Sequence, residues 1–269
     1  MVAFGKRNFG GTALIANYHT HTPRCNHAEG TEREYVECAL TAGLKILGFS
    51  DHAPQIFPGS YYSWFRMKPT ELDGYVQTIL ALRQEYCGRI QIPIGLELEY
   101  YPALLPNLLP ILRDQPLDYL ILGQHFLGNE ENDHYSGSPT ADKRHLERYC
   151  DQAIDAMHTG LFTYFAHPDL LNYIGGDEKF CRAQARRLCR EAKQCGMPLE
   201  INLLGMLEGK HYPNERFWEA AAEEGCDVIL GRDAHRPGQL LEEIWEKRAL
   251  EIVKTYGLHL LDTADLRKL

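Results

Sequence analysis

Seven times along the chain a short apolar run is followed by a longer amphipathic stretch, and this alternation limits the fold more than any other feature. The apolar runs are Ala13–Asn17, Ile46–Phe49, Ile90–Leu98, Asp118–Leu122, Phe162–Ala166, Leu199–Asn202 and Val228–Leu230. The stretches between and after them read as helices over Thr31–Ala42, Thr70–Tyr86, Leu104–Arg113, Asp142–His158, Lys179–Cys195, Glu215–Glu224 and Leu240–Tyr256. Local chemistry marks their ends. Thr31-x-x-Glu34 is a capping box, in which each side chain satisfies a backbone N–H of the first turn. Gly43, Gly196, Gly225 and Gly257 stand just past helix ends, where a left-handed residue stops the helix cheaply. Repeated strand-then-helix units imply parallel strands covered by helices, in an open doubly wound sheet or a closed barrel. No Gly-, Pro- or Ser-rich linker interrupts the pattern, so the 269 residues are expected to form one α/β domain. Two connections, Ala53–Pro69 and Leu127–Thr140, are long enough to suit functional loops.

In parallel α/β folds ligands collect at the carboxyl ends of the strands. The residues there are not random. The first strand ends in His19-Thr20-His21 and the second in Asp51-His52. The third carries Glu97, with Glu99 two residues on, and His125 follows the fourth. The fifth ends in His167-Pro168-Asp169, the sixth carries Glu200 and Asn202, and the seventh ends in Asp233-Ala234-His235. On an extended segment residues i and i+2 point the same way, so both imidazoles of a His-x-His can reach one ion. A lone histidine after a strand is ordinarily a hydrogen-bonded structural residue; its recurrence at most strand ends is what points to metal. Imidazole with carboxylate suits Zn, Fe or Mn, and one ion takes about four ligands, so this donor set implies two or three ions. Of the remaining histidines, His145, His158 and His259 read as surface or helix residues, and His134 and His211 as loop residues within reach of a substrate.

Composition removes several function classes. The net charge of −9 disfavours a general nucleic-acid binder. No run approaches the ~18 apolar residues of a membrane span. Met1–Thr12 lacks the apolar core of a secretory leader, and the eight cysteines include no Cys-x-x-Cys. Reduced thiols in a cytoplasm are therefore expected. The oligomeric state is not legible.

The motifs in order, His19-Thr20-His21 with His27, Gly48-Phe49-Ser50-Asp51-His52, Gly95-Leu96-Glu97 and Gly231-Arg232-Asp233-Ala234-His235, resemble the polymerase-and-histidinol-phosphatase (PHP) family. Arg24-Cys25-Asn26-His27-Ala28 and Asp51-His52-Ala53-Pro54 are similar to its histidinol-phosphatase branch. The resemblance runs from about His19 to about His235. It implies a distorted (β/α)7 barrel, a trinuclear divalent metal cluster (Zn, Fe or Mn) and phosphate-ester hydrolysis. It places His19, His21, Glu97 and Asp233 on a first ion. Glu97 bridges to a second, completed by His125 and His167, and His27, His52 and His235 hold a third. Spacing alone does not single out His27; the family pattern does. Asp51 is expected to orient a ligand histidine.

The implied reaction is attack of metal-activated water on phosphorus, with no protein nucleophile. Asp233 and His235 both stand as proton donors to the leaving alkoxide. The family substrate is L-histidinol phosphate, cleaved in histidine biosynthesis, and Arg66 resembles a family arginine suited to its phosphate. Two departures bear on substrate. The segment Asn202–Pro213 lacks the arginines usual there and offers only Lys210, and Arg232 stands where a small residue is usual. Lys210 and Arg232 are therefore the other candidate substrate contacts. The alternative readings are a PHP phosphoesterase acting on another small phosphate ester or a nucleotide, a PHP nuclease or polymerase-associated module, a non-catalytic metal protein, and a deacetylase-like metallohydrolase.

Overall fold

The computed structural model describes residues 14–131 and 133–269. Met1–Thr12, Ala13 and Asn132 lie outside the described residues, and with them the expectation of no leader and the start of the first apolar run.

Parallel strands alternate with helices along the chain, with two places where helices follow one another directly. The elements are β1 (Ala16–Asn17), α1 (Glu32–Thr41), β2 (Ile46–Leu47), α2 (Leu72–Glu85), β3 (Gly95–Leu98), α3 (Leu105–Arg113), β4 (Tyr119–Leu122), α4 (Lys143–His158), α5 (Glu178–Gln194), β5 (Leu199–Asn202), α6 (Leu203–Leu207), α7 (Glu215–Glu223), β6 (Asp227–Gly231), α8 (Glu243–Tyr256) and β7 (His259–Leu260). The Thr31–Glu34 capping box forms at the start of α1. Asp142 caps α4 by accepting from the Arg144 N–H, and Asn214 caps α7 in the same way. Residues 70–71 and 240–241, expected to be helical, lie in 3-10 turns ahead of α2 and α8. The short helix α6 and the strand β7 were not expected.

All strand pairings are parallel. β1 pairs with β2, β3 with β4, β5 with β6, and β6 with β7. Single bridges join these pairs. Phe49↔Ile94 and His52↔Glu97 carry β2 to β3, and Thr20↔Ala234 brings the end of β1 to the end of β6. The run Phe162–Ala166 is not a continuous strand, yet it lies between β4 and β5. The Thr163 and Ala166 N–H groups donate to the Leu120 and Leu122 carbonyls at 2.8 Å, and Phe165 N–H donates to Pro198 O at 3.0 Å. β7 takes the opening residues of β6, with Asp227 opposite His259.

The pleat sorts each strand into two environments. Leu96 and Leu98 of β3, Leu199 and Ile201 of β5, and Val228 and Leu230 of β6 join the large cluster under the helices. Their alternates, Glu97, Glu200 and Asn202, face the other side and are fully buried. A second apolar cluster, with Ala16, Tyr18, Tyr119, Ile121, Tyr164, Ala166 and Ile229, forms on that other side of the strands. Tyr119 anchors it by donating its hydroxyl to Tyr18 O at 2.7 Å and Phe49 O at 3.0 Å. Its ring lies so close to Gly95 that a Cβ there would sit 2.4 Å from a ring carbon, so this strand position demands glycine. Above this floor the inward positions turn from tyrosine to histidine and carboxylate.

Candidate metal centre

Glu97 stands at the middle of the polar layer. His167 Nε2 lies 2.9 Å from its Oε1, and His52 Nδ1 lies 3.0 Å from its Oε2. His19, His21 and His125 each bring Nε2 to 3.6 Å from the same carboxylate. Asp233 Oδ1 lies 3.0 Å from His21 Nε2 and 3.3 Å from His19 Nε2. The rings of His21 and His235 stack at 4.0 Å, and His27 lies 4.7 Å from His235. All nine residues expected as ligands are thus brought together, including His27 from the turn after β1. His167 and Asp233 take positive φ angles of 32° and 50°, a region costly for residues other than glycine and found at functional sites.

The outer nitrogens of five of these rings are held by named partners. His19 Nδ1 meets Glu200 Oε2 at 2.8 Å, His125 Nδ1 meets Glu99 Oε1 at 2.7 Å, and His21 Nδ1 faces Asp51 Oδ1 at 3.4 Å. His27 Nδ1 meets Cys25 O at 2.7 Å, and His235 Nδ1 meets Asp233 O at 3.0 Å. Such partners fix ring tautomer and direction in metal sites. Sequence reasoning placed Glu200 at a strand end without giving it a task. The inward register of Glu200 in Leu199-Glu200-Ile201 was the available clue.

The inner atoms meet the test for a cation. His19 Nε2, His21 Nε2, His52 Nδ1, Glu97 Oε2 and Asp233 Oδ1 are buried without a hydrogen-bond partner among the described residues. His27 and His235 give the sharpest case. A carbonyl only accepts, so each Nδ1 carries the proton, and the two Nε2 atoms present bare lone pairs to one another at 3.0 Å. That contact is repulsive unless a cation stands between them. Ligand atoms of His19, His21 and Asp233, of His19, Glu97 and His167, and of His21, His52 and His235 form groups within 4.8 Å. The residues therefore fit a metal cluster.

Electrostatics agree. Burial and the nearby His21 push His235 down to about 3, and lower His27 as well, which leaves both rings neutral and able to bind metal. Burial also opposes charge on His19, but Asp233, Glu200 and Glu97 outweigh it and carry the imidazole up to about 10. Burial would raise Glu97 and Asp233; the facing histidines hold both well below the usual carboxylate range.

A cavity of about 630 Å³ opens onto the cluster. Glu97, His125, Asp233 and His235 border it, with aromatic walls from Trp64, Phe65, Phe126, Tyr135 and Tyr212. The expected substrate contacts fare differently. Lys210 lines the cavity but pairs with Glu208 at 3.2 Å. Arg66 is 1% exposed and does not line it. Its guanidinium is divided between Glu99 at 2.8 Å and Glu130 at 2.9 Å, with Ala53 O as a further acceptor. Arg232 also turns away, toward Glu246 at 2.9 Å. Arg66 and Arg232 are thus buried against carboxylates of the protein, and neither lines the cavity.

The family model for the PHP domain matches residues 17–203. The chain belongs to the PHP family. Among PHP relatives it is 34% identical over 232 residues to a probable histidinol-phosphatase of Deinococcus radiodurans, covering 84% of this chain and 88% of that protein. It is 25% identical over 253 residues to the histidinol-phosphatase of Bacillus subtilis, covering 82% and 94%. In fold it matches the crystal structure of histidinol phosphate phosphatase from Lactococcus lactis complexed with zinc, L-histidinol and phosphate. The TM-score is 0.73 at 21% identity, over 94% of this chain and 99% of that one.

Proposed function

We propose that this PHP chain is a metal-dependent phosphatase that hydrolyses L-histidinol phosphate to L-histidinol and phosphate. The observation that carries the reading is the convergence of nine donor residues, several with buried unpartnered atoms, on the floor of an open cavity. Histidinol-phosphatase names recur among the relatives, and the Lactococcus lactis protein of this fold was solved with zinc, L-histidinol and phosphate. The aromatic walls suit an imidazole ring, and Glu29 and Glu208 at the cavity border suit an ammonium group.

The ligand groups proposed for three divalent ions, of zinc, iron or manganese, are His19, His21, Glu97 and Asp233; Glu97, His125 and His167; and His27, His52 and His235. Such ions supply water acidified toward neutral pH and neutralise charge on the phosphoryl oxygens. The protein's share is positioning. Glu200, Asp51 and Glu99 aim the imidazoles, Glu97 spans neighbouring groups, and the buried floor keeps water from the far side of the cluster. Asp233 and His235 border the cavity, where as ligands they would hold their ions open to the substrate. The circuit of parallel pairings and bridges from β1 through Phe162–Ala166 to β6 and back at Thr20↔Ala234 supports a distorted (β/α)7 barrel over one domain of 269 residues.

The reading is tested by phosphate release from L-histidinol phosphate beside p-nitrophenyl phosphate and a panel of sugar and nucleotide phosphates. A kcat/KM for L-histidinol phosphate far above the rest is expected. Weak and even turnover across the panel would keep the phosphatase and remove the substrate.

A further inference from the structure

With Arg66 and Arg232 buried against carboxylates and Lys210 paired, the cavity needs another cation for a phosphate. The wall beside His235 holds one. Arg236 lines the cavity and is exposed, and it makes no ion pair among the described residues. Three residues on, Gln239 lines the same wall and is only 7% exposed. Its Oε1 accepts from the His235 N–H at 2.7 Å and the Arg236 N–H at 2.9 Å. Both partners are donors, so the amide orientation is fixed and Nε2 is the free end. That Nε2 is buried and meets no acceptor among the described residues. A buried amide donor left unmatched is costly and marks a place where an acceptor belongs.

The segment is also held firmly. Glu29 N–H donates to His235 O at 2.8 Å. Gly30, at φ +83°, lies so close to Pro237 that a Cβ would meet its ring at 2.6 Å. One clamped segment beside the cluster thus carries an arginine without an ion pair among the described residues and a buried, unmatched amide donor.

We propose that Arg236 and Gln239 form the phosphoryl-recognition site of this chain, with the Arg236 guanidinium and the Gln239 Nε2 donating to substrate oxygens that the cluster does not hold. This deepens the phosphatase reading and rests on it. It also explains how the chain manages without the arginines missing from Asn202–Pro213.

The test uses the full-length zinc-loaded protein and inorganic phosphate as probe. Phosphate affinity is measured by titration calorimetry and zinc content by elemental analysis, for the wild type, Arg236→Ala, Arg236→Lys and Gln239→Glu. A lost charge-assisted hydrogen bond is expected to weaken phosphate roughly 10- to 100-fold in Arg236→Ala, at wild-type zinc content. Arg236→Lys retains part of the affinity, since it keeps the charge and loses the fork. Gln239→Glu keeps the acceptor that clamps the backbone and replaces the donor by a repelling oxygen, so it weakens phosphate as well. KM for L-histidinol phosphate rises in step. Phosphate affinity within twofold of wild type in Arg236→Ala, with zinc retained, overturns the proposal, and so does a larger loss in Lys210→Ala than in Arg236→Ala. If Gln239→Glu fails to hold zinc, the exposed Arg236 variants decide alone. A wild type that binds phosphate through Arg236 yet ignores L-histidinol phosphate sinks the substrate reading and leaves the phosphoryl-recognition site standing. A zinc-loaded wild type that binds no phosphate overturns both.

Discussion

At the scale of single residues, the cluster separates groups that meet the ions from groups that aim them. Glu97 faces five histidines from four segments, so Glu97→Ala is expected to strip metal and abolish turnover together; near-normal turnover at full metal content would refute its placement. Glu200 acts through His19. Its removal frees the ring without deleting a ligand, and metal affinity or activity is expected to fall roughly 10- to 100-fold. A metal titration of Glu200→Ala checks this. Arg66 shows why a residue type is a poor guide to its task. An arginine in a long loop beside Phe65 is compatible with a phosphate contact, but its partners Glu99 and Glu130 lie 33 and 64 residues away and are paired only by the fold. Arg66→Ala leaves two buried carboxylates without their counter-charge. The expected loss is about 3–5 kcal/mol of stability, read by denaturant unfolding, rather than a selective rise in KM. A stable variant with only KM changed would return Arg66 to the substrate.

At the scale of elements, the strand-end histidines were legible because position and periodicity report them: a residue at the end of a parallel strand faces the ligand edge whatever the detail of the sheet. His27 was not legible from spacing, because it follows a 3-10 turn, Pro23–Cys25, whose path the apolar pattern does not encode. Arg236 was missed for a similar reason; it lies beyond the motif, on the turn that leads toward α8. The Thr31–Glu34 capping box was read from local chemistry and formed as expected, whereas Asp142, expected inside its helix, stands outside it as the cap. Asp142 accepts from the Arg144 N–H at 3.0 Å, and the Arg144 side chain and that N–H hold its carboxyl down at about 2. Because this folded value is depressed, the stabilisation is present above the ordinary aspartate range and is lost as pH falls toward 2. Asp142→Ala is expected to destabilise the protein at neutral pH and less so in acid, by urea unfolding at several pH values. A cost that does not shrink as pH falls would contradict the capping role.

At the scale of the whole molecule, one alternation produces both layers. Residues under the helices make the core, and their alternates on the opposite side of the strands pass from a tyrosine floor to the layer of histidines and carboxylates. The floor depends on close approach at Gly95, so Gly95→Ala forces Tyr119 to move. An overpacking cost of roughly 1–3 kcal/mol is expected in thermal unfolding, with turnover impaired through the displaced Glu97 two residues on. The alternation was readable, whereas the broken Phe162–Ala166 segment and the added β7 were not, since both depend on which edges lie free once the other strands have paired. The central claim is that the buried donor cluster is a metal centre for phosphate-ester hydrolysis. The most direct measurement is phosphate release from L-histidinol phosphate by metal-quantified protein, before chelation, after chelation and after restoring zinc, iron or manganese. Turnover that disappears with the metal and returns with it is the expected result. Undiminished turnover by metal-free protein would contradict the account.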